Sequence, residues 1–263
     1  AVPAPLHASM AIKAMDAGKH VFVEKPLSMN LGEAQKMIDA SNANRVHLMV
    51  GHLLQYHPIF AKLREVVQSR DLGKLNYIYS NRHSLGKIRS EEDVIWSFAP
   101  HDLSMILSLT GAEPKMVRTE STAILQKNIA DTAILHMEFG EGLSAHISVS
   151  WLHPFKEQKL VVIGELGMAV FDDTQPWNQK LALYKHEIDF SDNTPIPRKS
   201  DAEYIDVPQA EPLKRECQYF VDLINNEVSP LTDGQEGMRV LRVLTASSLS
   251  QAGKRSVRVA SCE

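Results

Sequence analysis

Two short stretches hold residues suited to acid–base work on a ligand oxygen. In HVFVEKPLS, residues 20–28, an apolar run ends abruptly on Glu24, Lys25 and Pro26. In VIWSFAPHDLSMILSLTG, residues 94–111, Ser97, His101 and Ser104 recur four and three positions apart, with Phe98, Met105, Ile106 and Leu109 on a second face. Helical spacing of that kind presents the histidine on a rigid element. An ammonium can stabilise negative charge building on an oxygen, and an imidazole with its ordinary pKa of about 6.5 can take a proton near neutrality. Plainer readings stand beside these: a surface turn with a solvated lysine, and a histidine that serves only as a structural hydrogen-bonder.

The elements that must position these residues are legible in the pattern. Pro5 opens a helix whose Ala8, Ala11, Ile12 and Met15 share one face before Gly18 stops it. Residues 20–24 then read as a short buried strand. Asn30 with Glu33 three positions on resembles a capping box for a second helix with Ala34, Met37 and Ile38 as its apolar stripe, and 46–52 is another strand. Helix, strand, helix, strand is the alternation of a parallel sheet, whose ligands sit outside the carboxyl ends of the strands. Glu24 and Lys25 occupy such an end, and Pro26 both stops the ladder and biases Lys25 toward an extended conformation.

The texture changes past a helix at about 58–70. Strands with period-two alternation follow, and KLVVIGELGMAVFDD reads as a hairpin turning at Glu165 to Gly167. In LSAHISVSW, Leu143, Ala145, Ile147, Val149 and Trp151 point one way, and Ser144, His146, Ser148 and Ser150 the other. Helices are expected at 98–110, with Pro100 in the first turn, at 211–226, and at 234–250, the last with Asp233 and Glu236 as a capping pair. Residues 186–203, polar with two prolines, read as a surface excursion. The predicted class is α/β plus α+β: residues 1–54 as part of a parallel-sheet domain, and 55–263 as a domain with an open, largely antiparallel β-sheet covered by helices.

Composition narrows the functions. The 263 residues are 44% apolar and 23% charged with a net charge of −4, and the lysines and arginines are scattered. No basic segment marks a nucleic-acid or membrane partner, so small molecules are the expected ligands. Two cysteines, Cys217 and Cys262, fit a reducing, cytoplasmic setting and are read as non-catalytic. Eleven histidines show no pair spaced for a metal with a carboxylate in place, so no metal is expected. The first residues lack an initiator Met and begin as though a strand had just ended.

AVPAPLHASMAIKAMDAGKHVFVEKPLSMNLGEAQKMI closely resembles the Gfo/Idh/MocA oxidoreductases, whose members carry GKHVxxEKP, and VGHLLQYHP and LTDGQEGMRVLRVL follow in the expected order. The resemblance implies the C-terminal half of a Rossmann domain, NAD or NADP as cofactor, Lys25 between nicotinamide ribose and substrate hydroxyl, and Glu24 lining the cofactor side. Pro3 and His7 match the segment beside the nicotinamide half. The family's helix carries an Asp and, four residues on, a His; His101 matches, whereas Ser97 stands at the Asp position and Asp102 points elsewhere. Gln55 and Tyr56 lie past a strand end where the family commonly has Arg, with a domain-linking role the alternative to ligand contact. Lys156 is a candidate for a substrate phosphate, as are Arg82 and Arg89. No G-x-G-x-x-G occurs, so the pyrophosphate grip is expected upstream.

These features together predict hydride transfer between the nicotinamide and a secondary sugar hydroxyl, Lys25 holding alkoxide charge and His101 taking the proton, or the reverse. WSFAPHD and SWLHPFKEQKLVVIGELGMAVFDD resemble the nucleotide-sugar branch, which points to a UDP-linked N-acetylhexosamine or its uronate. The rivals are a free polyol such as an inositol, and a non-catalytic sugar- or dinucleotide-sensing regulator. Relatives commonly pair through the sheet face bearing Ser144, His146 and Ser148, so a homo-oligomer, dimer or tetramer, is expected.

Overall fold

A computed structural model describes residues 2–189 and 194–262. Helix α1, His7–Asp16, follows one 3-10 turn opened by Pro5, and strand β1 is Val21–Glu24. Asn30 caps α2, Leu31–Asn44, by accepting the Glu33 N–H at 2.9 Å; strand β2, Leu48–Gly51, follows. β1 and β2 pair in parallel, with Glu24 opposite Gly51. Val23, Leu48 and Val50 face Ala8, Ala11, Met15, Ala34 and Met37, so α1 and α2 cover one side of this pair.

The remaining chain builds α3, Pro58–Gln68, β3, Leu75–His83, and α4, Val94–Thr110. Strands β4, Met116–Thr122, β5, Thr132–Glu138, β6, Ser144–Ser150, β7, Glu157–Gly164, and β8, Met168–Asp172, come next. Then follow β9, Leu181–Tyr184, β10, Glu187–Asp189, β11, Ile196–Arg198, and β12, Glu203–Tyr204. Helices α5, Pro212–Ile224, and α6, Gly234–Gly253, and the short β13, Val257–Arg258, close the described fold. Among the described residues one sheet runs β12-β9-β8-β7-β3-β6-β5-β4-β13, with β3 and β6 parallel and every other neighbouring pair antiparallel.

The surface excursion at 186–203 carries an exposed antiparallel pair, β10 and β11, with Pro197 tolerated in a short strand away from the main sheet, while 190–193 lie outside the described residues. One expectation shifts. Helix α4 begins earlier than residue 98, because the Asp93 carboxylate accepts the N–H groups of Ile95 and Trp96, both at 3.1 Å. Pro100 therefore lies inside the helix, beyond its first turn.

One face of the large sheet packs Ala145, Ile147, Val149 and the fully buried Trp151 against α4 and α6 in the main core. The opposite face carries Tyr77, Tyr79 and His83 of β3 with His146 and Ser148 of β6. Tyr77 hydrogen-bonds His146, Tyr79 stacks on the same ring at 5.3 Å, and His83 meets Ser148 at 2.9 Å. Ser150, expected in that polar row, is buried, and its Oγ accepts the Leu152 N–H. No helix of the described residues is long and apolar enough to cross a membrane.

Helix α6 joins the two sheets, since it packs on α2 and β2 as well as on α4 and β4. A Cβ at Gly237 would come within 2.9 Å of Val50 and 3.0 Å of Leu27, so glycine sets the close approach of α6 to β2. Helix α5 covers the other side of β1–β2 through Phe220 against Phe22 and Leu223 against Met49. It also buries Glu216, 2% exposed, whose Oε1 has no partner. Burial, and then the neighbouring Glu24 charge, push this carboxyl up to about 8.

Glu216 thus makes stability depend on pH. Its native form holds a proton that the unfolded chain releases near the ordinary carboxyl value, so its contribution is present in acid and fades as pH rises toward about 8. Glu216→Gln should melt with the wild type at about pH 5 and be more stable at about pH 9. The expected gain is a few kcal/mol, about 1.4 kcal/mol for each pH unit between the ordinary carboxyl value and about 8. Thermal denaturation at the two pH values checks this; equal melting at the higher one refutes the assignment.

Candidate active site

The carboxyl ends of β1 and β2 face the first turns of α4. Pro26, joined to Lys25 by a cis peptide bond, ends β1 and leaves Lys25 half-buried between the sheets. Its Nζ donates to the Ser97 carbonyl oxygen at 2.7 Å, across 72 residues of chain. Burial lowers the Lys25 pKa below its usual value; Glu92 opposes this, Arg89 adds to it, and Glu24 and Arg82 contribute smaller effects of opposite sign. Both Arg89 and Glu92 come from the 84–93 connection, which brings charge to this lysine.

His101 lies one turn beyond Ser97 on the same face of α4. Its Nδ1 is buried without a hydrogen-bond partner. Burial holds the ring well below the usual histidine value, and the charges of Arg82, Lys25 and His52 act in the same direction. These effects favour the neutral imidazole, the form that can accept a proton. Asp102 points away from it: its carboxylate takes Arg82 Nε at 2.5 Å, Arg82 Nη2 at 3.1 Å and Ser80 Oγ at 2.6 Å. That buried ion pair fastens α4 to β3 and occupies the carboxylate nearest in sequence to His101.

The remaining candidates separate. Glu24 is exposed at the strand end, and a Cβ on Gly51 would come within 3.2 Å of its Oε2. His7 is buried and structural in geometry, with Nδ1 2.8 Å from the Pro26 oxygen and Nε2 3.1 Å from the Val2 oxygen, while Pro3 is exposed. A groove of about 370 Å³ runs between α1 and β1, lined in part by His7, Met10, Phe22 and Glu24. Ser97 is buried and offers its carbonyl to Lys25, not a side-chain carboxylate. Lys156 stands exposed on the connection between β6 and β7.

Gln55 and Tyr56 are turned into the protein. Gln55 Nε2 donates to the Ser104 oxygen at 2.9 Å and to its Oγ at 2.8 Å, and its Oε1 accepts from Arg64 at 2.9 Å. Tyr56 bonds Thr232 at 2.7 Å. Both have their polar atoms satisfied by residues of the second part of the chain, from α3, α4 and the connection before α6.

Sequence reading passed over His52 and gave Glu236 only a capping role. His52 follows β2 directly, the same strand-end position that singled out Lys25 on β1, and this was the available signal. Its Nδ1 lies 2.5 Å from Glu236 Oε2, while Glu236 Oε1 accepts Ser104 Oγ at 2.6 Å.

The residues at this strand end suit the nicotinamide and ribose half of a dinucleotide. An exposed carboxylate, an ammonium with one proton committed and a neutral imidazole with an unmet nitrogen match hydroxyl groups and a carbon centre that gains or loses hydride.

Comparison with known proteins agrees with this geometry. Residues 1–52 match the family model described as an oxidoreductase family with an NAD-binding Rossmann fold, and residues 60–170 match the GFO/IDH/MocA C-terminal domain, together more than half of the chain. UDP-N-acetylglucosamine 3-dehydrogenase of Acidithiobacillus ferrooxidans is 29% identical over 252 residues, covering 91% of this chain and 73% of that protein. Its solved structure superposes with a TM-score of 0.83 over 96% of this chain and 77% of that one, at 27% identity. Myo-inositol 2-dehydrogenase of Thermotoga maritima is 24% identical, covering 96% and 76%. With a parallel strand pair ending on Glu-Lys-Pro, a mixed sheet behind it and a histidine-bearing helix between them, the chain belongs to the Gfo/Idh/MocA family of NAD(P)-dependent oxidoreductases.

Proposed function

We propose that this protein oxidises, or in reverse forms, a secondary hydroxyl of a nucleotide-linked sugar, with a UDP-N-acetylhexosamine or its uronate as substrate. The observation that carries the chemistry is the convergence of the Lys25 ammonium and the neutral His101 ring on one face of α4. The choice of substrate rests on the likeness to UDP-N-acetylglucosamine 3-dehydrogenase, which extends over 91% of the chain.

When bound, the nicotinamide accepts the hydride. The protein's task is to handle the proton and the charge on oxygen. Lys25, fixed by the Ser97 carbonyl, keeps its other N–H groups for the substrate hydroxyl and the alkoxide character that grows there. His101 accepts the hydroxyl proton, since burial and neighbouring cations keep it unprotonated. Glu24, at the edge of the site, offers a carboxylate to ribose hydroxyls.

Three outcomes test this reading. Full-length protein should reduce nicotinamide cofactor faster with UDP-N-acetylglucosamine than with myo-inositol, monitored by cofactor absorbance; the opposite preference refutes the nucleotide sugar. Lys25→Ala and His101→Ala should each lower kcat by about 10²–10⁴-fold in folded protein. Near-normal turnover by either rules out its role. The pH profile of kcat/KM should be wide, with its acid limb well below the ordinary histidine value of 6.5 and its alkaline limb below the ordinary lysine value of 10.5. The signs follow from a base lost on protonation and an ammonium lost on deprotonation.

A further inference from the structure

The proton accepted by His101 has no comfortable resting place. An imidazolium there would lie beside Lys25 and Arg82, with its Nδ1 out of solvent. Ser97 supplies no carboxylate, and Asp102 is committed to Arg82 and Ser80. One carboxylate nevertheless reaches the same helix face. Ser97, His101 and Ser104 line up along α4; Lys25 is bonded at Ser97, and Glu236 is bonded at Ser104, one turn from His101 on its other side. The second oxygen of Glu236 holds His52, which is 1% exposed and directly follows Gly51, the register partner of Glu24.

We propose that the His52–Glu236 pair receives the proton that His101 takes from the substrate, and so replaces the carboxylate absent at Ser97. His52 donates Nδ1–H to Glu236, and its Nε2 lone pair takes the proton across a bridging water as the N–H bond on His101 breaks. One proton moves and no electrons are transferred. The Glu236 charge stabilises the resulting imidazolium, and the proton leaves to solvent before the next cycle. Lys25 and Arg82 lie on the His101 side of this route. On the other side Ser104, Gln55 and Arg64 hold Glu236 in place through one chain of hydrogen bonds. The inference rests on the dehydrogenase reading. His52 acts through His101 and is a positioning residue.

Two measurements on the full-length protein test it. Spectra of histidine labelled with nitrogen-15, recorded without substrate, should show His52 protonated on Nδ1 with Nε2 bare, and Glu236→Gln should disturb that tautomer. A His52 ring protonated on Nε2 overturns the proposal whatever the substrate proves to be. In turnover, Glu236→Gln and His52→Ala should each lower kcat about 10–100-fold with cofactor Kd unchanged, and added imidazole should restore part of the rate of His52→Ala but not of Glu236→Gln. Unchanged kcat in Glu236→Gln, or imidazole rescue of Glu236→Gln, overturns it. Should His52→Ala fail to fold, the nearly isosteric Glu236→Gln carries the test. A wild-type protein that oxidises no sugar sinks the dehydrogenase reading alone, and the tautomer measurement then decides this one.

Discussion

The hydrogen bond from Lys25 Nζ to the Ser97 carbonyl ties the end of a parallel strand to the helix that roofs the antiparallel sheet. Much of the site depends on it. It sets how far β1 can stand from α4, and it removes one of the three N–H groups by which a flexible ammonium would otherwise roam. Helix α6 fixes the same spacing from the other side, because Gly237 lets it lie against β2 while its other contacts reach α4. The Glu236 carboxylate at the start of α6 bridges His52 and Ser104, so each sheet reaches α4 through polar side chains as well as apolar packing.

Electrostatics around α4 divide the labour between neighbouring residues. Asp102 neutralises Arg82 and anchors the helix to β3, which leaves His101 without a direct carboxylate partner. A ring in that position remains a free base because protonation would place a further positive charge among existing ones. The family pattern has an Asp one turn before this histidine; here Ser97 contributes only backbone. The carboxylate that reaches this helix face is Glu236, bonded at Ser104.

Much of this was legible in the residues. The strand pattern put Lys25 at the end of β1, and helical spacing put Ser97, His101 and Ser104 on one face, where the structure has them. The capping residues Asn30 and Asp233 mark the starts of α2 and α6 as expected. The start of α4 was misplaced because Pro100 was taken for a first-turn residue, while Asp93, hidden in a polar loop, is the cap. Gln55 and Tyr56 could not be told from ligand contacts, since a polar residue past a strand end looks the same whether its partner is a substrate or Ser104. Glu236 was unreadable beyond its capping position, because its bonds reach residues more than a hundred positions away.

The parallel pairing of β3 with β6 breaks an otherwise antiparallel order. Two parallel neighbours deliver their exits to one rim, so the connection after His83 and the connection after Ser150 lie side by side. Ser84 N–H bonds the Ser150 oxygen, and His153 stacks on His83 at 4.3 Å. The first of these connections brings Arg89 and Glu92 to Lys25, and the second carries Lys156. Chain length and side chains on this rim can therefore diverge between relatives while the sheet register and the anchored helix behind them stay fixed. The rim beside Lys25 is thus built from two neighbouring connections, while the strands behind them hold the helix that carries His101.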